Sequence, residues 1–100
     1  MKPPILLQTD PRTLRLPWSH SQGADPAKLA RQISRYGDST EGMPPLLVFR
    51  ATDEELVISD GVTRATRIAK LSPGTKVFVE VTGTLSVPGS PMPTFGDRLP

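Results

Sequence analysis

The sequence predicts an α+β fold in which a small mixed β-sheet packs with two or three helices. The chain has 100 residues, which suits one domain with one modest core. Short apolar runs of strand length occur near the start, in the middle and late in the chain. Two segments with helical apolar spacing separate them. The predicted order is therefore strand, helix, hairpin, short helix and strand, which is an α+β pattern.

The first half of the chain contains a strand and a helix. The apolar run 5–7 precedes a turn signal at Asp10-Pro11 and predicts a strand. Leu14 and Leu16 alternate with arginines, as in a half-buried strand. A helix should begin at Asp25-Pro26, because aspartate caps helix N-termini and proline suits the first helical position. Its apolar stripe consists of Leu29, Ile33 and Tyr36, and Gly37 should end it.

The second half predicts a hairpin, a short helix and a last strand. The uninterrupted apolar run 46–49 indicates a strand covered on both faces, and residues 56–58 return as its hairpin partner. Residues 63–71 have helical spacing. The alternation of Val77, Val79 and Val81 predicts the final core strand. The expected buried positions of the second helix are Ala65, Ile68, Ala69 and Leu71.

Proline and glycine divide the chain into a domain and a tail. The sequence holds 12 Pro and 8 Gly, and its last residues are rich in both. We expect residues 1–87 to form the domain. Residues 88–100 should form a tail that either packs on the domain, with Phe95 docked, or is disordered. The single tryptophan, Trp18, is expected in the core, and His20 in a solvated loop.

Composition excludes several classes of protein. The chain has no Cys and one His, which excludes disulfides, thiolate metal sites and multi-histidine metal sites. Its net charge of +2 is too small for a polybasic nucleic-acid surface. No apolar run approaches the length of a membrane span. We therefore expect a soluble cytoplasmic protein that has no metal site of its own and no contact with a membrane.

The segment Asp60-Gly61-Val62-Thr63-Arg64 carries the clearest chemistry. A strand there passes through a glycine turn into a helix N-terminus, where unpaired amides and the helix dipole favour an anion. Thr63 and Thr66 add hydroxyls, and Arg64 and Arg67 add guanidinium groups, so a phosphate or carboxylate site is one interpretation. The other interpretation is structural: Asp60 caps the helix, Gly61 makes the turn and Arg64 pairs with a carboxylate.

The order of elements and the motif together resemble the ParB/sulfiredoxin family. The resemblance covers roughly residues 5–81 and includes the strand led by Pro44-Pro45 and the motif Gly61-Val62-Thr63-Arg64. In ParB-type proteins a similar strand–glycine–x–x–Arg–helix element binds nucleotide phosphates, with CTP or ATP as ligands in relatives. The resemblance thus implies that Gly61 forms the turn and Arg64 binds phosphate. Thr66 and Arg67 are further candidates that the resemblance does not cover.

The departures from that family narrow the expected function. Val62 and Thr63 stand where sulfiredoxins have cysteine and histidine, so sulfinic-acid reductase activity is excluded. The chain has no room for the helix-turn-helix domain of ParB proteins, and sequence-specific DNA binding is not expected. A looser similarity links the tail, residues 93–97, to ParB-like effector domains of bacterial polymorphic toxins.

We therefore expect a domain that binds a nucleotide, with magnesium, or another phosphate-bearing ligand. Its expected ligand-binding residues are Gly61, Thr63, Arg64, Thr66 and Arg67. If the domain is catalytic, Asp60 is the candidate metal ligand or base, and the chemistry is phosphoryl transfer, nucleotidyl transfer or nuclease-type cleavage. The alternatives are a non-catalytic module that binds a protein partner and a compact toxin-type effector domain.

Overall fold

The computed structural model describes residues 3–100, so the first two residues of the predicted domain lie outside it. It contains four strands and two α-helices, joined by short 3-10 turns. In chain order they are β1 (Ile5–Thr9), α1 (Pro26–Tyr36), β2 (Leu46–Arg50), β3 (Leu56–Asp60), α2 (Val62–Leu71) and β4 (Val77–Thr84).

The four strands form one mixed sheet in the order β1-β4-β2-β3. The last strand, β4, lies inside the sheet, where it pairs antiparallel with β1 and parallel with β2. Val79 is opposite Leu7 on one side and opposite Leu46 on the other. β2 and β3 form the predicted antiparallel hairpin. The prediction of an α+β fold with a small mixed sheet and two helices is therefore confirmed.

The core lies between one face of the sheet and α2. Leu46, Val48 and Val79 are fully buried on that face, and Ala65 and Ile68 of α2 pack against them. Ile58, Val77 and three residues outside the sheet and helices complete the cluster: Leu14, Leu16 and Phe95. These side chains stabilise the fold because their apolar surface is removed from water.

Both helix starts are close to their predicted positions. α1 begins at Pro26, and the Asp25 carboxylate accepts a hydrogen bond from the Ala27 amide at 3.2 Å, as expected of an N-cap. Gly37 ends the helix with a φ of +56°. α2 begins one residue earlier than predicted. Leu71, the last residue of α2, was expected in the core but is exposed.

Three further predictions from the first half and from β2 need correction. Residues 14–16 are extended but form only isolated bridges through Arg15, to Val57 and to Thr94. Trp18 is not in the core, since 62% of its surface is exposed. β2 is fully covered on one face only: Leu46 and Val48 are buried, whereas Leu47 and Phe49 on the opposite face are half-buried.

The tail packs against the domain. Phe95 is 1% exposed and belongs to the main core cluster, and Met92 is buried beside Ala51 and Val57. Two backbone hydrogen bonds hold it to the segment 14–16, from the Leu16 amide to the Pro93 carbonyl and from the Phe95 amide to the Leu14 carbonyl. The tail therefore contributes two residues to the apolar core, Met92 and Phe95.

Candidate functional site

The turn between β3 and α2 depends on the absence of a side chain at Gly61. This residue has a φ of +104°, in the left-handed region that residues with a Cβ rarely adopt. A Cβ atom there would lie 2.7 Å from Leu46 Cδ2 and 2.8 Å from Arg64 Nη2. Both the backbone conformation and the close approach of these two side chains therefore require glycine.

The N-terminus of α2 is open. The first helical hydrogen bond runs from the Ala65 amide to the Gly61 carbonyl at 2.9 Å, so the amides of the three preceding residues have no partner in the helix. No side chain caps this end, in contrast to Asp25 at the start of α1. One interpretation of the sequence was that Asp60 caps this helix. The structure shows that it does not. The turn therefore presents amide donors to its surroundings.

Arg64 folds back from the first turn of α2 over Gly61. Its Nη2 lies 3.7 Å from Asp60 Oδ2, a long ion pair in which the Asp60 side chain is 71% exposed. Such exposed pairs stabilise a protein little. The Arg64 Nε is buried and has no hydrogen-bond partner within residues 3–100. Packing thus positions the guanidinium group, whose hydrogen-bonding capacity is only partly used.

A surface cavity of about 370 Å³ adjoins the turn. Residues 59–64 form one wall, and His20 and Gln32 form the other. His20 was expected in a solvated loop, and Gln32 was not among the predicted site residues. No local pattern places either residue at the turn, because His20 and Gln32 are far from residues 59–64 along the chain. We refer to residues 59–64 with this cavity as the turn site.

Of the predicted ligand-binding residues, the structure brings Gly61, Thr63 and Arg64 together at the turn site, beside Asp60. It does not bring Thr66 there. Thr66 is 2% exposed, and its hydroxyl donates to the Val62 carbonyl of its own helix at 2.8 Å. A buried hydroxyl with an internal acceptor has no free donor for a ligand at the turn.

Arg67 also lies away from the mouth of the turn. It is 2% exposed, and its Nη1 donates to the carbonyls of Gly37 and Ser39, both at 2.8 Å. Burial lowers the pKa of Arg67, and the neighbouring Tyr36 and Asp38 side chains oppose that effect. An arginine nevertheless keeps its charge in a protein. Arg67 is therefore a buried cation that faces the loop after α1.

The acidic residues of the described chain do not form a metal centre by themselves. Within residues 3–100, no group of three or more His, Asp or Glu side chains is close enough to hold an ion. At the turn site Asp60 is the one carboxylate among the lining residues. Magnesium commonly binds through one or two carboxylates and the phosphates of a ligand, so Asp60 with a bound phosphate would be the donor set here.

Comparisons of the chain with protein-family models, curated proteins and solved structures gave no match. The resemblance to the ParB/sulfiredoxin family therefore rests on the order of elements and on the glycine-arginine motif alone. In the part of the chain that the structure describes, no helix has both the length and the apolar character needed to span a membrane.

Proposed function

We propose that this chain is a nucleotide- or phosphate-binding domain whose ligand binds at the turn site. The observation that supports this most directly is the open N-terminus of α2. The amides of Thr63 and Arg64 have no helical partner, and no side chain occupies them. An anion at this position satisfies the amides and interacts favourably with the helix dipole.

The side chains around the amides suit a phosphate group. Gly61 allows Arg64 to lie directly against the backbone of the turn, because a Cβ there would be 2.8 Å from Arg64 Nη2. Thr63 lines the same cavity, and Arg64 supplies a positive charge. Arginine is well suited to phosphate because its planar fork of donors matches the phosphate oxygens.

The first experiment is a calorimetric titration of CTP, ATP, GTP and NAD, each with magnesium. Wild-type protein should bind at least one of them. Replacement of Arg64 by alanine should weaken that binding about ten- to a hundredfold, the usual effect of losing a hydrogen bond to a charged group. The matched control is Lys76→Ala, which removes one positive charge from an exposed position before β4. Absence of binding, or equal losses in both variants, would contradict the proposal.

A second variant tests whether Asp60 takes part through a metal ion. Asp60 lies beside the anion site, so its charge repels a free phosphate but attracts magnesium. We expect Asp60→Asn to strengthen binding of inorganic phosphate without magnesium and to weaken binding of a magnesium nucleotide. A loss of affinity for both ligands would show that Asp60 mainly holds Arg64 in place.

His20 supports a second candidate function, hydrolysis of a phosphate ester or anhydride. His20 and Asp60 line the same cavity as Arg64, so a candidate acid or base and a positive charge share one site. Release of phosphate from the four nucleotides is the measurement. An authentic activity should be lost in both His20→Ala and Asp60→Asn, and turnover that survives in either variant would exclude this mechanism.

A further inference from the structure

A second cavity lies on the other side of Arg64, between the C-terminal end of α1, the loop 37–45 and α2. Its volume is about 260 Å³. Gln32 and Tyr36 of α1, Met43 of the loop, and Arg64 and Arg67 of α2 line it. We call this cavity the guanidinium pocket. It shares Gln32 and Arg64 with the turn site, but Arg67 belongs to this pocket alone.

The guanidinium pocket collects the buried polar atoms that have no partner. Within residues 3–100, three buried side-chain atoms lack a hydrogen bond: Gln32 Oε1, Arg64 Nε and Arg67 Nε. All three belong to residues that line this one pocket. Buried polar groups in native proteins are nearly always hydrogen-bonded, because an unpaired buried group loses its hydrogen bonds to water. Their concentration in one cavity indicates an occupant that satisfies them together.

The charge of the occupant follows from Arg67. This guanidinium is 2% exposed, and its partners are neutral: the Gly37 and Ser39 carbonyls and the Met43 sulfur at 3.6 Å. The Tyr36 ring lies 5.3 Å from its central carbon. No described carboxylate forms an ion pair with it, since the ion pairs within residues 3–100 involve Arg15, Arg50 and Arg64.

Asp38 acts on Arg67 only from a distance, since it forms no ion pair with it. A buried charge without a directly bound counter-ion is costly, and an anion offsets that cost where a neutral ligand does not. Glu41 also lines the pocket, but its side chain is exposed and pairs with neither Arg64 nor Arg67. Neither Asp38 nor Glu41 therefore forms an ion pair with Arg67.

We infer that the guanidinium pocket binds a small oxyanion of the phosphate class that carries a proton. The Nε–H groups of Arg64 and Arg67 donate to its oxygens, and its charge neutralises Arg67. Gln32 Oε1 accepts the hydrogen bond from its O–H group. Hydrogen phosphate has this combination of charge, acceptors and one donor, whereas sulfate at neutral pH has no proton to give. The inference does not depend on nucleotide binding at the turn site.

The direct test is an NMR titration of the arginine Nε–H groups of the wild-type protein with inorganic phosphate at constant ionic strength. We expect saturable shifts of the Arg64 and Arg67 resonances, whereas Arg50 on the hairpin should not move. Phosphate bound only at the turn site would shift the Thr63 amide and Arg64 without Arg67. An unmoved Arg67 resonance therefore overturns the inference, whatever happens at the turn site.

Gln32→Leu keeps the size of the side chain, removes the acceptor and leaves the buried arginines in place. In the wild type, phosphate should raise the melting temperature more than sulfate does, because ligand binding to the folded state stabilises it. Gln32→Leu should abolish this preference, and Gln22→Leu, an exposed change before α1, should retain it. Equal effects of phosphate and sulfate on the wild type, or a preference that survives Gln32→Leu, would contradict the assigned role of Gln32.

Discussion

At the scale of single residues, Gly61 shows how one position joins the fold to the site. Its backbone is in the left-handed region, and its missing Cβ leaves room for Leu46 of the core and Arg64 of the turn site. Gly74, in the loop before β4, has a similar φ of +87°, but nothing lies within 4 Å of its Cβ position. A substitution at Gly74 therefore adds backbone strain alone, whereas a substitution at Gly61 adds both backbone strain and steric overlap.

We expect Gly61→Ala to destabilise the protein by about 1–3 kcal/mol more than Gly74→Ala, because only the former adds overpacking to backbone strain. Chemical denaturation of the two variants measures the difference. The Gly61 variant should also lose phosphate binding at the turn site, since Arg64 must move. Equal destabilisation by both substitutions would show that the Leu46 and Arg64 side chains move away from the new Cβ without loss of stability.

Only some residues of the candidate site could be predicted from the sequence. Gly61 and Arg64 were identified because a glycine turn before a helix has a local signature. Thr66 and Arg67 are polar, and polarity alone does not say which side of a helix faces water. The structure places both on the buried side of α2, where an internal carbonyl and the loop after α1 bind them. Nothing in the local sequence around Gln32 indicates a role in a site. Its position beside Arg64 becomes visible only in the folded structure.

At the scale of elements, the turn of the β2–β3 hairpin connects the sheet to the tail. The Asp53 carboxylate accepts hydrogen bonds from the amides of Gly89 and Ser90, both at 2.9 Å, and of Glu55 at 3.3 Å. The bond from Gly89 is the main cause that lowers the pKa of Asp53 to about 2. In the tail itself, a hydrogen bond from the Thr94 amide lowers the pKa of Asp97 in the same direction.

These carboxylates predict a loss of stability in acid. The folded-state pKa of Asp53 lies below the ordinary value of about 3.9, so its hydrogen bonds contribute stability above that pH. The contribution disappears as the pH falls from about 4 towards about 2. In urea denaturation, wild type should exceed Asp53→Asn in stability at neutral pH, and the gap should close across this window. A stability difference between wild type and Asp53→Asn that does not change with pH would mean that the charge of the carboxylate does not contribute.

Elements were predicted well wherever a local pattern defines them. The hairpin, both helices and the final strand follow from apolar spacing and from capping residues such as Asp25. The segment 14–16 alternates like a strand, yet its two leucines fill the core while the chain bridges β3 and the tail. That outcome depends on where residues 92–95 lie, which no local pattern encodes.

At the scale of the whole molecule, Arg15 and Phe95 join the tail to the domain. Arg15 binds the Glu55 carboxylate through Nε at 2.8 Å and Nη2 at 2.6 Å. Its Nη1 donates to the Met92 carbonyl at 2.9 Å and to the Ser90 carbonyl at 3.2 Å. One guanidinium thus holds the hairpin and the tail together, and Phe95 seals the core beneath it.

Phe95→Ala should therefore destabilise the whole domain by about 3–5 kcal/mol, the usual cost of truncating a buried phenylalanine. That is a large share of the stability of a typical domain. The control is Val87→Ala at an exposed position, which should change stability by about 0.5 kcal/mol or less. Thermal denaturation compares the two. Similar melting temperatures would show that the tail is an accessory to a domain that is stable without it.

The position of β4 inside the sheet has a consequence for how the chain acquires its structure during synthesis. β1 is made first, but its partner is β4, with Ile5 opposite Val81. Until the ribosome has released residues 77–84, β1 and the β2–β3 hairpin have no strand to join them. The nascent chain can form helices and the hairpin early, because their contacts are local. The complete sheet and its core therefore form only after the last quarter of the chain has been made.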